Sequence, residues 1–453
     1  MTADTQGGLI YFSITLAILL SGVTWAFVVV RIGARKRFDL VDIFLLAFGA
    51  VYGVAYAFVI YMTMYEGNVV GFRIIGHEQN FWLIPMVAAF GAIAAAAVST
   101  LSGEVKTPPA PVATNAVALR KAIFLVAVLF LGVALLATWL YTRAYGGIAG
   151  FLAVASALRA GLFDEAGANP LSFLKPFCGF SIFSSYCFAA VFLDRGQSRD
   201  GMFTMAILGF IVSAAISSFT LLGWGGRVDL LAYWASLVFG FLVYRTGLTP
   251  RLLLRLTLVM LALIMALPPL TNAMNPGKNR GSFANFFAAE LTFPVESSLN
   301  IIDFAGSRKG VDLVAAPIFI LPERIWRPMG VEPISDINSE LLLGDVPRQG
   351  FGYTIPVDIT TFGLFQFGLV GPGIVIAIWC LFLIWIDRQL VFRLPRGFSA
   401  MLYAHSALFV AALSVLYFDP KMQITRNFHF IAGMLTLVAL LTFRRQMLLM
   451  GRD

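Results

Sequence analysis

Apolar runs long enough to cross a bilayer recur along nearly the whole chain, and no other feature restricts its fold as severely. A hydrocarbon core takes roughly 17–25 helical residues, and runs of about that length lie at 9–30, 40–63, 81–101, 122–141, 176–193, 201–222, 229–244, 252–272, 362–386, 398–417 and 427–443. Backbone N–H and C=O groups find no water in hydrocarbon, so each run must be a helix or a strand of a closed barrel. No period-two alternation appears, which leaves helices. With 59% hydrophobic residues against 12% charged and a mean hydropathy of +0.85, the chain has more apolar side chains than a soluble core can hide. The expectation is an all-α polytopic membrane protein with about eleven transmembrane helices, one integral membrane domain over 1–453.

Charge sets the expected orientation. Under this count Arg31/Arg35/Lys36/Arg37, Lys106/Arg120/Lys121, Arg195/Arg199, Arg245/Arg251/Arg255, Arg388/Arg393/Arg396 and Arg444/Arg445/Arg452 all fall on one side. The positive-inside rule makes that side cytoplasmic. The N-terminus, MTADTQGG, has no Lys or Arg and is expected outside, with the C-terminus inside. The first run lacks a basic n-region and is followed by a basic stop, so it reads as a retained anchor.

Two segments interrupt the series. Residues 142–175 contain an apolar stretch at 147–162, but Arg159 lies in its pattern and Asp164-Glu165 follow it. Inserting it as a twelfth span, the alternative, would reverse every later loop against the charge bias. The favoured reading is an outside amphipathic or re-entrant helix with Ile148, Phe151, Leu152, Ala155 and Leu158 on its apolar face. Residues 273–361 form a large outside loop, rich in Arg, Asp and Glu, where water-facing chemistry has room. Within it Phe283, Phe286, Phe287 and Leu291 recur at helical spacing until Pro294, Leu299/Ile302/Ala305 suggest a second short helix, and 314–321 is too short to span.

Several function classes lack their parts. The net charge of +8 fits anchoring beside anionic lipid, and no aromatic-plus-basic nucleic-acid motif stands out. Cys178, Cys187 and Cys380 show no metal-type spacing. The first two would lie about 13 Å apart along one helix, too far for a disulfide. Walker A, HExxH and GxSxG sequences are missing. The spans hold little that ionises beyond Asp42 and His405, which disfavours an ion-coupled carrier, and no internal repeat appears.

What remains is Arg on the outside face, against the general charge bias: Arg227 after Trp224-Gly225-Gly226, then Arg280, Arg308-Lys309, Arg324, Arg327, Arg348 and Arg426. Arg makes planar, bidentate contacts with phosphate and stays charged, so a cluster at headgroup level suits a lipid-linked pyrophosphate. Anchoring to outer headgroups, or pairing with loop carboxylates such as Glu323 and Asp345, is the plainer alternative. Trp326 and Tyr353 offer ring faces for sugars, or interfacial anchors.

The Gly-Gly-Arg turn, the loop stretch Ile320-Leu321-Pro322-Glu323-Arg324-Ile325-Trp326-Arg327-Pro328, and Phe365-Gln366-Phe367-Gly368-Leu369-Val370-Gly371-Pro372-Gly373 opening the next span together resemble the Wzy-type oligosaccharide repeat-unit polymerases. The likeness covers roughly 120–443 as architecture. Arg327 separates Trp326 from Pro328, where the family usually has Trp-Pro. Phe362-Gly363-Leu364 stands where an acidic motif often precedes the span, leaving Asp358 as the nearest carboxylate.

The resemblance implies a bacterial inner-membrane glycosyltransferase. Such enzymes move a growing glycan from undecaprenyl pyrophosphate onto a lipid-linked oligosaccharide repeat unit at the periplasmic face, without a cofactor or metal, and a separate chain-length regulator is an implied partner. Departing pyrophosphate needs its charge stabilised, for which Arg227, Arg348 and Arg426 come first and Arg280 and Arg324 next. The attacking hydroxyl needs a base, with Asp358 first and Glu296 second. A lipid-linked oligosaccharide flippase or export component is the alternative from another class. O-antigen ligases, close relatives in architecture, usually carry a His in the big loop, and 272–361 has none. His429 lies beside Arg426 at the outer end of the last span, and His405 reads as packing or an interhelical hydrogen bond.

Overall fold

Each apolar run satisfies its backbone within itself, and the computed structural model is accordingly helical throughout. It describes residues 3–64, 74, 76–102, 116–159, 169–194, 201–274, 282–321, 323–343 and 355–450, and no strand occurs among them. Eleven helical stretches among the described residues are long and apolar enough to cross a membrane. They are α1 (Gly7–Arg35), α2 (Leu40–Met64), α3 (Glu78–Leu101), α4 (Ala118–Arg143), α5 (Ser172–Leu193), α6 (Gly201–Gly223), α7 (Arg227–Thr246), α8 (Pro250–Pro269), α9 (Ile359–Leu390), α10 (Arg396–Val415) and α11 (Pro420–Thr442). The fold class and the span count expected from the sequence are thereby met.

The Arg-bearing ends knit into one face. Arg35 donates to the Ser99 carbonyl at 3.1 Å, Arg388 to Ser102 at 2.9 Å, Arg120 to Val191 at 3.2 Å and Arg396 to Tyr244 at 2.7 Å, while Arg37 pairs with Asp387 at 2.8 Å. Asp39 opens α2 as an N-cap, accepting from the Val41 and Asp42 amides, and it also takes Arg31 on both oxygens. A narrow cleft opens here, lined in part by Arg31, Arg35, Asp39 and Asp387. Its arginines are already paired, Arg31 with Asp39 and Asp42, Arg35 with Asp39.

The 142–175 segment contains a helix, Ile148–Arg159. Its twelve residues rise only about 18 Å, short of a bilayer crossing. Phe151 is fully buried, with its ring 5.7 Å from Tyr141 and 5.5 Å from Phe219, and Ala155 is buried beside it. Ile148 and Leu152, expected on the same apolar face, are exposed at the surface of the protein.

Two expectations about the chain around 273–361 are corrected. Pro294 does not stop its helix: Phe283–Asn300 runs through it. Pro294 has no N–H to give the helix, and it lies buried beside Thr292 and Val295. The residues after it form only a 3-10 turn, Ile302–Phe304. Nor does the Gly-rich motif open one straight span. Ile359–Phe367 is a separate buried helix of nine residues, ended by Gly368 at φ 66°. The chain then turns into Gly371–Arg393, and a Cβ on Gly363 would stand 2.5 Å from the Pro372 nitrogen. Only glycine permits that crossing. The Gly306 and Arg308 amides cap this short helix at the Leu364 and Phe365 carbonyls (2.8 and 3.0 Å).

Candidate functional site: a paired-arginine cluster

Opposite the basic face, the junction between α6 and α7 is built around one glycine. The end of α6 widens into a π-helical turn over Leu221–Gly225, closed by the Gly226 amide on the Leu221 carbonyl at 2.8 Å. Gly226 sits at φ 85°, ψ −173°, a region essentially reserved for glycine. The sharp reversal lets α7 begin at once with Arg227 in its first turn, and no side chain caps that turn.

Arg227 Nη2 reaches Glu290 Oε1 at 3.2 Å, on the Phe283–Asn300 helix. Two residues on, Asp229 Oδ1 accepts from Arg426 Nη2 of α11 at 2.8 Å. The Arg426 guanidinium lies over the Tyr417 ring at 3.9 Å, and Phe293, almost a turn beyond Glu290, is 5.8 Å from that ring. The Tyr417 hydroxyl, its pKa raised chiefly by desolvation, feels Arg426, Asp229 and Glu290 at once. Arg227 and Arg426, far apart in sequence, therefore share one cluster around Tyr417. Each keeps its Nη1 buried and without a hydrogen-bond partner among the described residues. A guanidinium has five donors in a fixed fork, so one arm of each is held by a carboxylate and another is left for an acceptor.

The other expected site residues fare differently. Asp358 is fully buried and caps the Ile359–Phe367 helix. It accepts from the Thr360 and Thr361 amides at 3.0 Å, from the Thr361 hydroxyl, and from the Tyr52 hydroxyl. Burial raises its pKa above the ordinary 3.8. The structure thus gives Asp358 a capping role in place of the expected base at a water-facing mouth. Glu296 is half-buried on the Phe283–Asn300 helix. Six residues separate it from Glu290, about 240° around the helix, so it does not share the face that meets Arg227.

Trp326 is also corrected. Only 2% of it is exposed, its indole N–H donates to the Leu321 carbonyl at 3.1 Å, and Phe319 packs edge-on at 5.3 Å. A ring with both its apolar body and its N–H satisfied inside the protein offers no sugar platform. Trp326→Ala is expected to lower stability by about 3–5 kcal/mol, and Trp326→Phe by less, measured as thermal unfolding in detergent. Arg280, Arg348 and Tyr353 lie outside the described residues, as does the side chain of Arg324. Arg308 is committed to a bidentate pair with Asp312 (2.9 and 2.8 Å), which Gln366 also contacts.

His405 and His429 are internal. His405 Nε2 meets Asn427 Oδ1 at 3.0 Å, the interhelical bond expected of it, and its ring lies 5.5 Å from buried His429. Asp229, Glu290 and Tyr417 do not stand out in the sequence. The one cue it offers is Arg227-x-Asp229 in a first helical turn, where a carboxylate sits well against the helix dipole. Comparisons with protein-family models, with curated proteins and with solved structures find no match to this chain, so its functional reading rests on these side chains.

Proposed function

We propose that this chain is a membrane glycosyltransferase, an oligosaccharide repeat-unit polymerase of the bacterial inner membrane. It transfers a growing glycan from undecaprenyl pyrophosphate onto a lipid-linked repeat unit at the periplasmic face. The observation that carries the reading is the pair Arg227 and Arg426, each with a buried, unfilled Nη1. Two such nitrogens in one cluster match a ligand with several anionic oxygens, and charge-assisted bonds to phosphate are strong in a water-poor site. As the glycosidic bond breaks, negative charge grows on the pyrophosphate, and preorganised donors stabilise that charge more than they stabilise the ground state.

Placement supports the same reading. Arg227 starts α7, whose other end receives Arg396 at the Tyr244 carbonyl on the basic face. If the basic face is cytoplasmic by the positive-inside rule, the Arg pair faces the periplasm, where lipid-linked repeat units are presented. The uncapped first turn of α7 adds the positive end of a helix dipole. Tyr353 and the Arg of 275–281 and 344–350 remain proposed contributors to glycan and phosphate binding. A separate chain-length regulator is a proposed partner.

The test is reconstitution. Purified protein supplied with a cognate undecaprenyl-pyrophosphate repeat unit is expected to produce a ladder of longer glycans with release of undecaprenyl pyrophosphate. Absence of lengthening, with transbilayer movement of the same lipid by proteoliposomes, would replace this reading with the flippase one.

A further inference from the structure

Arg426 is fixed more completely than an ion pair alone would fix it. An Arg side chain has several free rotors, and a single carboxylate contact still lets the guanidinium swing about that contact. Asp229 Oδ1 holds Nη2 at 2.8 Å, and the guanidinium carbon lies over the Tyr417 ring at 3.9 Å. That is van der Waals contact, whereas Arg396 over Tyr244 and Arg143 over Trp139 stand off at 5.2 and 5.7 Å. The ring limits the tilt of the planar guanidinium and the carboxylate limits its rotation, so the direction of the unfilled Nη1 follows from the two together.

Tyr417 is itself anchored. It lies in the link between α10 and α11, where its amide donates to the Leu413 carbonyl at 2.9 Å and its carbonyl accepts from the Gln423 side-chain amide. Gln423 Oε1 in turn accepts from the Asn427 side chain at 3.3 Å, and Asn427 Oδ1 meets His405 Nε2 at 3.0 Å. The first turns of α11, which carry Arg426, are thereby tied to the residue whose ring supports it. Phe293 packs against that ring at 5.8 Å, with the two planes 33° apart.

We propose that Tyr417 is a positioning residue whose ring presets the Arg426 guanidinium, aiming Nη1 where charge develops on the departing pyrophosphate. This rests on the glycosyl-transfer reading above. A donor oriented in advance costs no reorganisation as the glycosidic bond breaks, and a small misplacement of such a group is expensive in rate. Without the ring the guanidinium keeps its charge and its Asp229 contact, yet it samples orientations in which Nη1 misses the phosphate oxygens. The loss is therefore one of rate, and it acts only through Arg426. Because the Tyr417 hydroxyl also lies in the field of Arg426, ring and hydroxyl are tested apart.

The experiment uses the full-length protein with cognate undecaprenyl-pyrophosphate repeat units and measures kcat per folded protein, with thermal unfolding in detergent followed in parallel. Tyr417→Leu removes the ring, and its kcat is expected to fall about 10–100-fold. Tyr417→Met takes its place should the Leu variant insert poorly. Tyr417→Phe, which restores the ring without the hydroxyl, is expected to recover most of that rate. In an Arg426→Gln background the change of Tyr417 to Leu is expected to cost no more than about twofold of the residual rate, because no guanidinium is left to position. A Phe variant as slow as the Leu variant would overturn the proposal by assigning the effect to the hydroxyl. A Leu variant as fast as wild type would overturn it too, as would a Leu loss that persists undiminished in the Arg426→Gln background, the mark of general damage to the site. A wild-type protein that leaves cognate units unextended would instead bring down the glycosyl-transfer reading itself.

Discussion

Arg426→Ala is expected to abolish glycan extension and to destabilise the fold at the same time, and the two losses can be separated. Removing the guanidinium leaves Asp229 buried without its counter-ion, a loss of roughly 3–5 kcal/mol for a broken buried pair. Replacing both partners removes that penalty, since a deleted pair is often nearly neutral. The double variant Arg426→Ala/Asp229→Ala is therefore expected to regain most of the thermal stability lost by the single one. It is not expected to regain activity: losing one preorganised donor to developing charge costs about 10²–10³-fold in rate. A double variant that recovers stability and polymer ladders together would reduce Arg426 to a structural ion-pair partner.

The second large effect concerns Asp358, where cap and base make opposite forecasts. Asp358→Ala strips the cap from the Ile359–Phe367 helix, about 0.5–2 kcal/mol, and removes the acceptor of the buried Tyr52 hydroxyl, about 1–3 kcal/mol more. Asp358→Asn keeps an oxygen for the Thr360 and Thr361 amides and for Tyr52, and its amide can donate to the Thr361 hydroxyl. That hydroxyl also contacts Ser298 at 2.8 Å. The Asn variant is accordingly expected to fold and to extend glycans within a few-fold of wild type, whereas loss of a general base costs about 10²–10⁴-fold. Its stability should also depend less on pH. Because burial raises the folded-state pKa above 3.8, the folded chain holds this proton to higher pH than the unfolded chain. The associated stability is present below the unfolded value and is lost as pH rises through the folded one. Wild type is thus expected to lose stability relative to Asp358→Asn as pH rises through that window, read from paired melting curves.

Features set by bulk solvation are legible in the amino-acid sequence. Hydropathy locates the spans because hydrocarbon leaves a helix no alternative, and the charge bias of the loops anticipates the face on which Arg31, Arg120, Arg388 and Arg396 gather. Arg227 and Arg426 are legible because Arg outside the basic loops runs against that bias. Pairwise geometry is hidden. Nothing in the spacing of Asp358 distinguishes a carboxylate facing water from one whose oxygens are consumed by Thr360, Thr361 and Tyr52, since Tyr52 lies 306 residues away. Trp326 carries the same ambiguity, resolved only by Phe319 and the Leu321 carbonyl. Glu290 is masked by its apolar surroundings, Phe286, Phe287 and Phe293, which read as a packing face. Pro294 misleads because a proline's missing hydrogen bond ends a helix only where tertiary packing does not offset it.

The central claim is that Arg227 and Arg426 grip one pyrophosphate. The direct measurement is undecaprenyl pyrophosphate affinity in wild type, Arg227→Gln, Arg426→Gln and the double variant, analysed as a double-mutant cycle. Each single change is expected to weaken binding, and the pair to be non-additive by about 0.5–3 kcal/mol, as for groups sharing one ligand. Strictly additive losses, or affinity that does not respond to either substitution, would contradict the account.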